Sequence, residues 1–108
     1  MKALILSFLL FAALAPAQVT QTFTGTITDS ECADGDHTLM RMGPTDAECT
    51  IACIVAHGAL YVLYDGEQAY TLSDQETPER FAGKRVTVTG TLNTRTQTIQ
   101  MVSIAETD

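Results

Sequence analysis

Basic residues are scarce in this chain. Six lysines and arginines stand against 13 aspartates and glutamates, a formal charge of −7. Such a surface repels phosphate, which argues against nucleic acid and anionic membrane surfaces as partners. Arg80, Lys84 and Arg85 are the one local basic cluster. Tryptophan is absent, there are three prolines, and repeats and low-complexity tracts are missing. No G-x-S-x-G elbow frames a serine nucleophile, so Ser30 with Asp29 and His37 is a poor hydrolase triad. Cysteine is also sparse. The three thiols, Cys32, Cys49 and Cys53, form no C-x-x-C pair, and an odd count leaves one over after any single disulfide.

No apolar run is long enough to span a membrane as a helix. "ALILSFLLFAAL", residues 3–14, has the length of a signal-peptide core; Lys2 precedes it and Ala15-Pro16-Ala17 follows as a small-x-small cleavage site. The pattern predicts a signal peptide over 1–17, cleaved to leave a domain over 18–108 with no membrane anchor. Losing Lys2 makes that domain more acidic still. The expected location is periplasmic or secreted, where the cysteines meet an oxidising environment.

The domain reads as short strands. "TQTFTGTIT" alternates, with Phe23, Gly25 and Ile27 on one face and threonines on the other. Gly25 falls where a side chain should pack, which marks a bend or bulge. "ALYVLYDGEQAYTLS" reads as a hairpin with type I′ chemistry at Asp65-Gly66. "TPERFAG" reads as a short helix capped by Thr77, with Pro78 in its first position, Phe81 inward and Gly83 at its end. "RVTVTGTL" alternates again, and "TQTIQMVSI" slips between Met101 and Ile104 as a bulge would cause. The expected fold is mainly β, a five-stranded OB-like barrel. It has a cysteine-bearing helix between strands 1 and 2, and a short helix between strands 3 and 4.

The connection over residues 29–58 is too long to be a bare loop in a compact domain. Its second half, "DAECTIACIVAHG", is predicted to be helical. Thr45 and Glu48 form a capping box and Gly58 ends the helix. Cys49, Cys53 and His57 recur every four residues, one slowly drifting stripe, and Ile51, Ile54 and Val55 supply apolar contacts.

The pattern D-S-x-C, a downstream histidine, C-x-x-x-C, Y-V-L and F-A-G-x-x-V-x-V-T-G-T-L spans nearly all of the expected domain. In these motifs the chain resembles a group of small exported bacterial proteins of unknown function. The resemblance implies an exported OB-like domain in which Cys32, His37, Cys49 and Cys53 are a set, and it implies no activity.

Several chemistries fit that set. Cys49 and Cys53 do not suit a bond to each other, because helical i,i+4 positions hold Cβ atoms about 5–6 Å apart against the ~3.8 Å a disulfide prefers. A disulfide from Cys32 to Cys49 or Cys53 would close a loop of roughly 17–21 residues and contribute about 3 kcal/mol. The chain is then a stapled, non-enzymatic binding module for a protein or small ligand. Alternatively Cys32, His37, Cys49 and Cys53 are a metal cage for zinc, or for Cu(I) if Met40 or Met42 joins. A thiol oxidoreductase is a third reading, because Cys49 lies near a helix N-terminus. Acidic neighbours and the spacing speak against it. Asp29, Glu31, Asp34 and Asp36 alternate around Gly35 without completing a calcium loop. Tyr61, Tyr64 and Tyr70 offer either a stacking platform or hairpin packing.

Overall fold

The computed structural model describes residues 19–107. The predicted leader over 1–17 lies outside them. The described chain is mainly β, with five strands in one sheet and one α-helix. Strand β1 is Gln21–Asp29, helix α1 is Asp46–His57, β2 is Tyr61–Tyr64, β3 is Ala69–Leu72, β4 is Arg85–Asn93 and β5 is Thr98–Glu106. A 3₁₀ helix, Thr77–Phe81, lies between β3 and β4. The strands run β1-β2-β3-β5-β4 and the order closes back on β1. All pairings are antiparallel except β3 with β5.

Closure depends on β1 serving two neighbours in succession. Gln21 to Thr26 pair with β4, and Thr26 to Asp29 pair with β2. The change of partner requires a close backbone approach. Gly25 sits at that point, and a Cβ there would run into the Tyr64 carbonyl. This is the physical reason for the glycine on an otherwise inward-facing position. The slip in β5 is real: Thr89 pairs with Ser103 and Gly90 with Met101, so Val102 is the extra residue of a bulge.

The core gathers the inward positions of every strand: Ile27, Tyr61, Leu63, Leu72, Val86, Val88 and Ile99, with Ala82. Helix α1 packs Ala47, Ile51 and Ile54 against it. Val55, expected to join them, is 80% exposed.

Three local expectations need correction. The β2–β3 turn is centred on Gly66-Glu67, with positive φ at Gly66 alone, so it has the II′ pattern and not I′. Asp65 instead flanks the turn; its carboxylate accepts the amides of Glu67 and Gln68. Thr77 does not cap the 3₁₀ helix. Asp74 does so, accepting the amides of Glu76 and Thr77. In the α1 capping box, Thr45 accepts the Glu48 amide at 3.1 Å as expected. The return bond differs: the Glu48 carboxylate takes the Thr45 hydroxyl instead of its amide.

Candidate metal centre

The end of β1 is covered on both faces. Thr28 and Asp29 should alternate between core and solvent, yet both are buried, because the connection to α1 folds over the outer face. Asp29 organises the first turn of that connection. Its Oδ1 accepts the amides of Glu31 and Cys32, each at 3.0 Å. Asp34 and Asp36 build the next turns in the same way, accepting the amides of Asp36 and Thr38. One oxygen of each of these three carboxylates is thus taken up by a backbone turn, and the acidic stretch folds as a series of turns.

The turns carry Cys32 and His37 inward, where both are buried, at 4% exposure each. Helix α1 brings Cys49 and Cys53 to the same layer, both fully buried. Ligand atoms of Cys32, His37 and Cys49 lie within 4.8 Å of one another. Three of the four residues in the predicted set thus come together. The fourth, Cys53, falls in a different group, with Glu31 and His57, whose ligand atoms also lie within 4.8 Å of one another.

All three cysteines are free, so the predicted staple from Cys32 to Cys49 or Cys53 is not formed. The spacing allowed the sulfurs to converge; it did not bring them to bonding distance, which is about 2.05 Å between sulfurs. Cys49 instead uses its sulfur locally. It accepts the Met42 amide at 3.3 Å and donates to the Met40 carbonyl at 3.3 Å. Of the two methionines, Met42 packs against Cys49 and Cys53, while Met40 is 45% exposed.

The hydrogen bonds around His37 select one tautomer of its neutral ring. Thr28 Oγ1 donates its one hydrogen to the Cys32 carbonyl at 2.8 Å. Its contact with His37 Nε2, at 3.4 Å, therefore needs the proton on Nε2. A neutral imidazole then carries its lone pair on Nδ1, and Nδ1 is buried with no hydrogen-bond partner among the described residues. Asp29 Oδ2 is a second buried acceptor in the same position. A buried acceptor without a donor costs on the order of 1–3 kcal/mol, and a cation relieves it.

Burial pushes the Cys32 thiol from its ordinary 9.0 to about 11, with Asp29 and then Cys49 adding to the rise. Burial likewise pushes the Cys53 thiol to about 12, with Asp29 again the first of the neighbouring charges. The folded state thus favours the protonated thiols. That contribution is intact below pH 9.0 and is lost as pH climbs through the raised values. The reduced, metal-free protein is expected to lose a few kcal/mol of stability above that point. Urea unfolding at neutral and at strongly alkaline pH, with reductant present, checks this. In Cys32→Ser the alkaline loss should be smaller.

Other predicted residues serve the fold. Tyr61 lies in the core, the Tyr64 hydroxyl donates to the Gly66 carbonyl, and Tyr70 packs against Phe23 with tilted rings whose centroids are 5.7 Å apart. Ser30 Oγ accepts the Leu60 amide at 2.9 Å, which ties the connection to the start of β2. Sequence reasoning did not single out Thr28, and it considered Asp29 only for calcium and hydrolysis. No local signal marks a strand end that will be covered on both sides. Comparison of the chain with protein-family models, curated proteins and solved structures returns no match.

Proposed function

We propose that this is an exported metal-binding protein. In this reading an OB-like barrel holds one soft metal ion, zinc or Cu(I), through Cys32, His37 and Cys49. The observation that carries it is His37 Nδ1, buried without a hydrogen-bond partner among the described residues, in a residue grouped with two thiols. Two thiolates and one neutral imidazole suit either ion. Cys53 or Met42 is the candidate for a fourth position. Thr28, holding Nε2, plays the part of the outer partner that fixes a ligating imidazole. The reading is of a binding protein, not an enzyme. The acidic residues Asp46 and Glu48 beside Cys49, and a cysteine spacing that is not C-x-x-C, weigh against the oxidoreductase alternative.

The bound ion would supply a cross-link between the connection and α1, and its binding releases thiol protons. Titration of the reduced, metal-free protein with Cd(II) tests this. Thiolate-to-metal absorption should grow steeply up to one tightly bound equivalent, and affinity should rise with pH because protons leave. Absence of any thiolate band would refute the proposal.

The second reading keeps the same sulfurs. The sulfurs of Cys32 and Cys49 lie within 4.8 Å of one another, so a modest shift would let a disulfide-containing oxidant join them, its own disulfide taking up the two electrons and the two thiol protons. The chain is then a stapled interaction module for a protein or small ligand. The unpartnered His37 nitrogen favours the metal.

A further inference from the structure

One ligand-bearing group stands outside that centre. Cys53 lies one helical turn beyond Cys49 and is fully buried. Its sulfur, a Glu31 carboxylate oxygen and a His57 ring nitrogen lie within 4.8 Å of one another. Glu31 comes from the turn after β1 and His57 from the last residue of α1, so the fold brings distant segments together. Glu31 Oε2 and His57 Nδ1 are 2.8 Å apart, with side chains 33% and 36% exposed. The mouth is thus a carboxylate and an imidazole, and the floor is a sulfur. An ion pair alone would join Glu31 to His57, but it would not need a buried thiol within reach of both. Carboxylate, imidazole and thiolate together are a borderline-soft donor set, and the partial exposure leaves room for water as a further ligand.

We infer that Glu31, Cys53 and His57 form a second metal site, open to solvent, which loads the buried one. The inference rests on the metal reading of Cys32, His37 and Cys49. The ion arrives hydrated, exchanges water for Glu31, His57 and Cys53, and moves inward by replacing these with the buried ligands. Each exchange swaps one donor for another; each ligating thiol releases its proton to solvent, and the His57 nitrogen that takes the ion first gives up any proton it carries, to solvent or to the other ring nitrogen, as its contact with Glu31 opens. Cys53, next to Cys49 along the helix face, is the ligand able to follow the ion.

Stopped-flow loading of the reduced, metal-free protein with Cd(II), read by thiolate absorption, tests the port. His57→Ala and Glu31→Gln alter half-exposed side chains and should fold. Each should slow loading about tenfold, while competition with a chelator shows a much smaller change in final affinity. Cys32→Ser/Cys49→Ser, which lacks the buried centre, should still bind one Cd(II) weakly with the absorption of a single thiolate. Loading at the wild-type rate in both surface variants, with no ion on the double variant, would overturn the port and leave the buried site standing. Failure of the wild type itself to take Cd(II) would instead remove the metal reading beneath it.

Discussion

Cys49→Ser is expected to abolish tight metal binding while leaving the fold intact. Serine fills nearly the same volume and can make both bonds that the thiol makes, accepting from the Met42 amide and donating to the Met40 carbonyl. The loss is therefore one of ligand chemistry. Removing a second-sphere partner from a metal site costs about 10–100-fold in affinity, and removing a directly ligating sulfur should cost more than about 100-fold. Two measurements check this. Competition against a chelator gives the affinity. Thermal unfolding with and without zinc gives the linkage, since an ion that binds only the folded state raises the midpoint. The wild-type midpoint should rise and the variant's should not. A variant that binds as tightly as wild type would remove Cys49 from the site.

Gly25→Ala is expected to be among the most damaging single changes to the closed sheet. A methyl at that position has no room, because the Tyr64 carbonyl and the Asp65 Cα lie against it. Neither is a flexible side chain that can swing away. The strand must shift exactly where it exchanges β4 for β2, so ring closure is strained. The cost should be about 3 kcal/mol or more, a large share of the ~5–15 kcal/mol that stabilises a small domain. Gly66→Ala is the informative control. It has open space around it and only an unfavourable φ of 104°, so it should cost about 1 kcal/mol. Urea denaturation of both variants makes the comparison. Equal losses would show that close approach at β1 is unimportant.

The strands were legible because one face is apolar and the other is not. Ile27, Val86 and Val88 could be placed inward from period two alone. The end of β1 escaped that logic. Thr28 and Asp29 are buried by a connection whose path depends on distant contacts, including Ser30 to Leu60. The turn at Gly66-Glu67 was misplaced by one residue because Asp-Gly satisfies two turn types with similar chemistry, and only the pairing of Tyr64 with Ala69 decides between them.

The candidate centre was legible in its chemistry and less so in its grouping. Cys32, His37 and Cys49 converge as their residue types implied. Cys53 does not join them, and helical geometry explains why. Four residues turn an α-helix by about 400°, so each step along the stripe overshoots by ~40°. Cys49, Cys53 and His57 thus fan progressively around the axis. The first meets His37 and Cys32, and the last reaches the Glu31 carboxylate. The staple is not formed in this structure for a different reason: spacing bounds how far sulfurs can be apart and says nothing about whether they touch.

The central claim is that two sulfurs and a histidine nitrogen of this barrel hold one soft ion. X-ray absorption at the zinc edge of the zinc-loaded protein tests it most directly. The account predicts a first shell containing at least the sulfurs of Cys32 and Cys49 and one imidazole nitrogen. A first shell of oxygen and nitrogen without sulfur would contradict it.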